Sequence, residues 1–293
     1  MKKHLALLAC LAACGCAAHR EARLTSEPSI ERAFDLIGRT KDGRALLKFL
    51  QKNPVSFEYA NTAGLCHKLD LKKRTILLPP EYRGSDLVLA LAAARAAHIY
   101  RLYVRTGLDE VISEEEELGA LFQARLALEL GVTEAEFAKA PDSAAMKTAF
   151  CTYVLENSRY AMTQARREAL SSDPDCRRPL ETLENQRVWL DKTRKAINDE
   201  SFYQLLYERD LVRVRKGAIT QADAMKNDAR VRALPAYEVY RYQRTFYDKQ
   251  SDIFSRFAKA YEGEVRSDAA WREANKERLD EARSEFSGCD LIK

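Results

Sequence analysis

Residues 75–106 read TILLPPEYRGSDLVLALAAARAAHIYRLYVRT. An apolar run of strand length, Thr75–Leu78, stops at Pro79-Pro80, and an alanine-rich helical pattern starts at Asp86. Ser85 is placed to cap that helix and Gly107 to end it. A serine oxygen accepts an orphan N–H, and glycine takes the left-handed turn at little cost. Upstream, Val55, Phe57 and Tyr59 alternate with polar or small residues, as do Leu65, His67, Leu69 and Leu71, with Lys72-Lys73-Arg74 as a polar turn. This period of two predicts a strand over Val55–Tyr59 and then a hairpin ending at Leu78.

Around this stretch the pattern is helical. Helices are expected over Ile30–Gly38 and Gly43–Lys52, the latter stopped by Asn53-Pro54. After Asp86–Thr106, Ser113-Glu114-Glu115-Glu116 reads as a capping box opening a helix to Leu130, closed by Gly131. Further helices are expected over Asp142–Leu170, from Leu180 toward Arg215 with a break near Asn198-Asp199, from Thr220, over Pro235–Glu262, and over Ser267–Phe286. The fold class is therefore α+β and predominantly α-helical. A small strand/hairpin-plus-helix domain over residues 29–140 precedes a helical bundle over 141–293. In the bundle, Tyr240, Tyr247, Phe254 and Tyr261 recur every seventh residue, as do Leu183, Leu190 and Ile197. Both series read as seams between helices.

The element order from residue 43 to 130 is helix, strand, hairpin, Pro-Pro turn, long helix, acidic-capped helix. With Gly43-Arg44-Ala45-Leu46-Leu47, the strand Val55–Tyr59, the phrase Thr75–Pro80 and the helix Leu87–Leu102, this layout resembles the zincin-type metallopeptidases of the glutamate-ligand branch. The resemblance implies a helix bearing H-E-x-x-H, in which two histidines a turn apart bind zinc and the glutamate serves as general base. Here the matching run is Ala94-Arg95-Ala96-Ala97-His98. Only the second histidine is present. Ala94 stands at the first ligand and Arg95 at the general base, where a guanidinium accepts no proton and repels a cation.

The family's third ligand, a glutamate on the next helix, falls within Glu114–Glu117, with Glu116 or Glu117 facing back toward His98. The expected product of the degeneration is a counter-charge swap, in which Arg95 pairs with Glu116 or Glu117 in place of the metal. The competing arrangement is a working zinc site of His98, Glu117 and His67, or Cys66 in place of His67. No G-x-S-x-G or glycine-rich phosphate loop offers other chemistry.

The N-terminus carries an address. Lys2-Lys3, an apolar run to Ala13, and Leu11-Ala12-Ala13-Cys14 form a leader too short for a membrane span, which needs about 20 apolar residues. Leu11–Cys14 resembles a bacterial lipobox. The resemblance implies that residues 1–13 are a signal peptide, Cys14 is the acylated N-terminus, and residues 14–28 are a tether. Gly15 in place of an aspartate favours the outer membrane within the cell envelope.

The expected partners are that membrane and an envelope protein or peptide. The charge of 48 basic against 44 acidic residues falls to 46 against 44 without Lys2 and Lys3, which leaves no electrostatic footprint for nucleic acid. Among the body cysteines, Cys66 and Cys151 are expected as core hydrophobes, and Cys176 and Cys289 as more exposed and paired. The function read from all this is a non-catalytic binding or scaffold role. A metal-dependent hydrolase with non-standard ligands and an all-helical envelope adaptor are the alternatives.

Overall fold

β3 (Thr75–Leu78) is the central strand of a three-stranded sheet ordered β1-β3-β2, parallel to β1 (Ser56–Tyr59) and antiparallel to β2 (Lys68–Asp70). Its central place explains the apolar run: Ile76, opposite Phe57 and Leu69 in the register, is fully buried. The computed structural model describes residues 23–62, 67–108, 112–156, 182–199, 202–286 and 289. The open edge of β1 is covered by Leu24 and Thr25. The Phe57 N–H donates to the Leu24 carbonyl (2.7 Å), and the Thr25 hydroxyl donates to the Phe57 carbonyl (2.8 Å). Residues 24 and 25 are buried, so the folded body starts inside the stretch expected to be tether.

The N-terminal helices α1 (Pro28–Ile37) and α2 (Lys41–Lys52) present Ile30, Ala33, Ile37, Leu46 and Leu50 to the core. Against them lies α3 (Asp86–Thr106), capped by the Ser85 oxygen on the Val88 N–H (3.3 Å) and ended by Gly107 at φ 77°. A bidentate contact of Arg32 with Asp86 (2.6 and 3.0 Å) ties α1 to the first turn of α3. By length and composition α3 could cross a membrane, but 78% of its apolar window is buried inside the fold. It is apolar on all sides because it is the central helix.

The helix α4 (Ser113–Leu130) packs along α3 through Glu116, Gly119 and Phe122, which meet Arg95, Ile99 and His98. At Gly119 a Cβ would lie 3.0 Å from the Ile99 side chain, so even alanine would push that side chain by a few tenths of an ångström. Its N-cap is Ile112, with no side-chain cap, and not the expected Ser113 box. The helices α5 (Glu134–Phe137) and α6 (Ser143–Glu156) follow.

The helical half comprises α7 (Leu183–Asp199), α8 (Phe202–Arg215), α9 (Gln221–Arg232), α10 (Pro235–Ala274) and α11 (Lys276–Glu285). The expected break near Asn198-Asp199 falls at residues 200 and 201, which lie outside the described residues. The expected break after Glu262 is absent: α10 continues through Gly263 for 40 residues, about 60 Å. Nothing lies within 4 Å of a Cβ placed at Gly263, so this half-buried glycine has open space beside it, in a helix held by packing elsewhere. Leu190 and Ile197 are buried as the seam requires, whereas Tyr240, Tyr247, Phe254 and Tyr261 are half-buried and Ile253, Phe257 and Asp268 are the buried residues of α10.

One contiguous core runs from Leu24 through Met146 and Phe150 to Leu279 and Phe286. It is closed by a disulfide between Cys151 and Cys289, S–S 2.05 Å. This corrects the expected pairing: Cys151 is buried, but as half of a bridge, and its partner is the cysteine expected to bond Cys176. Cys66 and Cys176 lie outside the described residues. The sheet packed beside α3 also removes the all-helical architecture.

Candidate functional site

Each glutamate of the run 114–117 has a different task, because successive helix positions point about 100° apart. Glu114 accepts the Leu183 N–H on both oxygens (3.1 Å each), placing a carboxylate at the N-terminus of α7. Glu115 is buried, 4% exposed. Burial, and then the charge of Glu116, push its carboxyl well above the usual range, opposed by a hydrogen bond from the Ile112 backbone. Glu116 forms an ion pair with Arg95 Nη2. Glu117 accepts the Tyr261 hydroxyl (3.0 Å), which joins α4 to α10.

Arg95 therefore meets Glu116, one of its two expected partners. Its side chain is 7% exposed against 21% for Glu116, so the guanidinium is held inside the α3–α4 interface. Removing one partner of such a buried pair costs about 3–5 kcal/mol, because a charge is left behind unpaired. Ala94, at the expected first-ligand position, is fully buried core.

His98 is also fully buried, but faces neither expected glutamate. Its Nδ1 accepts from Arg101 Nη2 (2.9 Å), so Nε2 carries the proton, and that buried N–H has no partner. The ring lies on Phe122, centroids 4.7 Å apart. Burial first, then the charges of Arg101, Arg125 and Arg105, hold the imidazole well below its ordinary 6.5, so it is neutral.

Arg101 in turn pairs with Glu264 of α10 (3.3 Å), and Arg125 pairs with Asp42 of α2 while lying over the Trp271 ring (5.2 Å). Arg95 and Arg125 are thus buried guanidiniums along α3 and α4 and Arg101 is a largely enclosed one, each with a carboxylate from another helix.

This donor set does not fit zinc. The histidine's free lone pair is taken by a guanidinium, three arginines supply the local field, and the glutamate nearest the motif neutralises Arg95. Among the described residues no three His, Cys, Asp or Glu side chains converge, so His98, Glu117 and the half-buried His67 are not brought together. Cys14, the expected lipidation site, lies outside the described residues.

The signals missed in the sequence were Arg101, three residues from His98 on the same helix, and Tyr261, whose place in the sevenfold series hid a polar role. No protein-family model, no curated protein and no solved structure matches the chain.

Proposed function

We propose that this chain is an exported, lipid-anchored envelope protein whose zincin-like body is non-catalytic and acts by binding or scaffolding. The observation that carries the reading is the Arg95–Glu116 ion pair. The residue at the general-base position is a cation whose charge is consumed inside the fold. Zincin chemistry needs there a carboxylate facing a metal-bound water. The Cys151–Cys289 bridge agrees with export, since disulfides persist in oxidising compartments. Cys14 is the acylated residue in this reading, and Gly15 directs the protein to the outer membrane.

Two measurements test the proposal. Metabolic labelling with a fatty acid is expected to mark the wild type and not Cys14→Ser, and the label is expected in the outer-membrane fraction. Protein purified without chelator is expected to contain no stoichiometric zinc and to cleave no peptide in a chelator-sensitive way. Zinc lost on His98→Ala, together with chelator-sensitive cleavage, would establish the hydrolase instead.

A further inference from the structure

The α8–α9 hairpin has an inner and an outer side. On the inner side Tyr203 meets Tyr237 and Tyr240 (centroids 5.6 and 5.8 Å), and Asp210 accepts from Asn227 (2.9 Å). On the outer side of α8, Leu205, Arg209, Val212 and Lys216 fall at i, i+4, i+7 and i+11, a single row along the helix. All are exposed, Leu205 by 61% and Val212 by 43%. Among the described residues nothing covers Leu205 or Val212 in this row.

The charges of the hairpin are matched unevenly. Residues 202–232 carry seven basic side chains against four acidic. All four acids are used within the hairpin itself, Glu208 by accepting from Gln204 (3.1 Å). Asp210 holds Arg213, Asp223 closes the capping box with Thr220, and Asp228 holds Arg232. Arg209, Arg215, Lys216, Lys226 and Arg230 form no ion pair among the described residues. Arg209 and Lys216 sit in the apolar row itself. Apolar side chains interleaved with unneutralised cations on one helix face are the chemistry of interfacial helices on anionic lipid.

We propose that the outer face of this hairpin rests on an anionic phospholipid surface, with Leu205 and Val212 entering the headgroup boundary and Arg209 and Lys216 meeting phosphates. The inference deepens the envelope reading and rests on it for the presence of a membrane, but it concerns a contact separate from the lipid on Cys14.

The test uses the full chain carrying Cys14→Ser, so that no acyl chain contributes, and compares hairpin variants that share the same leader. Co-sedimentation with vesicles of phosphatidylglycerol and phosphatidylcholine is expected to exceed that with phosphatidylcholine alone. Leu205→Glu/Val212→Glu is expected to lower partitioning at least tenfold, and Arg209→Gln and Lys216→Gln about fivefold each, with unchanged helical content and weaker binding in high salt. Equal sedimentation of all variants would overturn the proposal. So would a concentration-dependent dimer abolished by Leu205→Glu without any lipid effect, which would assign the face to a second copy. Absence of fatty-acid label from the wild type would refute the anchor and leave the vesicle result standing.

Discussion

The α3–α4 pair and the α8–α9 hairpin are both two-helix units, and they are built in opposite ways. In α3 and α4 a glycine lies at the contact, most positions are buried, and even arginines are enclosed with acids from other helices. In α8 and α9 Asp210 and Ala224 are the only buried residues among those described, while Leu205, Tyr207, Val212 and Met225 are exposed by 37% or more. The first unit is specified by packing and internal ion pairs. The second leaves apolar and cationic surface facing outward. Structural substitutions should therefore be costly in one and nearly silent in the other.

The largest effect is expected at the disulfide that closes the core. Cys151→Ser removes a cross-link spanning 138 residues and is expected to cost about 4 kcal/mol in urea unfolding. A loss below about 1 kcal/mol would mean that the C-terminal segment docks without it. Next, Gly119→Val places a branched side chain where a single Cβ already lies 3.0 Å from Ile99, for an expected cost of about 2–3 kcal/mol. The matched change in the hairpin, Leu205→Ala, is expected to stay within about 0.5 kcal/mol. Equal costs at the two sites would break the comparison.

Proton linkage sharpens it further. Folded His98 titrates below its ordinary 6.5, so as pH falls through that value the unfolded chain takes the proton first and stability declines toward acid. Folded Glu115 titrates above its ordinary 4.5, so as pH rises through that value the unfolded chain ionises first and stability declines until the folded carboxyl follows. His98→Gln is expected to flatten the acid limb of a denaturation–pH profile, and Glu115→Gln the limb above pH 4.5. Lys226→Gln in the hairpin is expected to alter neither. A profile insensitive to both core variants would remove the two groups from the account.

Much of the core was legible because its signals are local. Ser85 and Gly107 mark the ends of α3, and Ile76 and Leu78 mark a buried strand, from patterns a few residues long. What was not legible depended on rotation or on distant partners. Which glutamate meets Arg95 turns on one helix step of about 100° between Glu116 and Glu117, finer than a cap predicts. The Cys151–Cys289 bridge joins α6 to the chain end, and no spacing rule ranks that pairing. The continuation of α10 past Gly263 follows from contacts such as Glu264 with Arg101 and Asp268 with Tyr153, which lie far away in sequence.

The central claim is that Arg95 and Glu116 act as a coupled pair inside the α3–α4 interface. A double-mutant cycle with Arg95→Met, Glu116→Gln and both together tests it directly by urea unfolding. The account predicts that each single change is destabilising and that the double variant recovers part of the loss, with a coupling of about 2 kcal/mol or more. Strictly additive single effects, with coupling below about 0.5 kcal/mol, would contradict it.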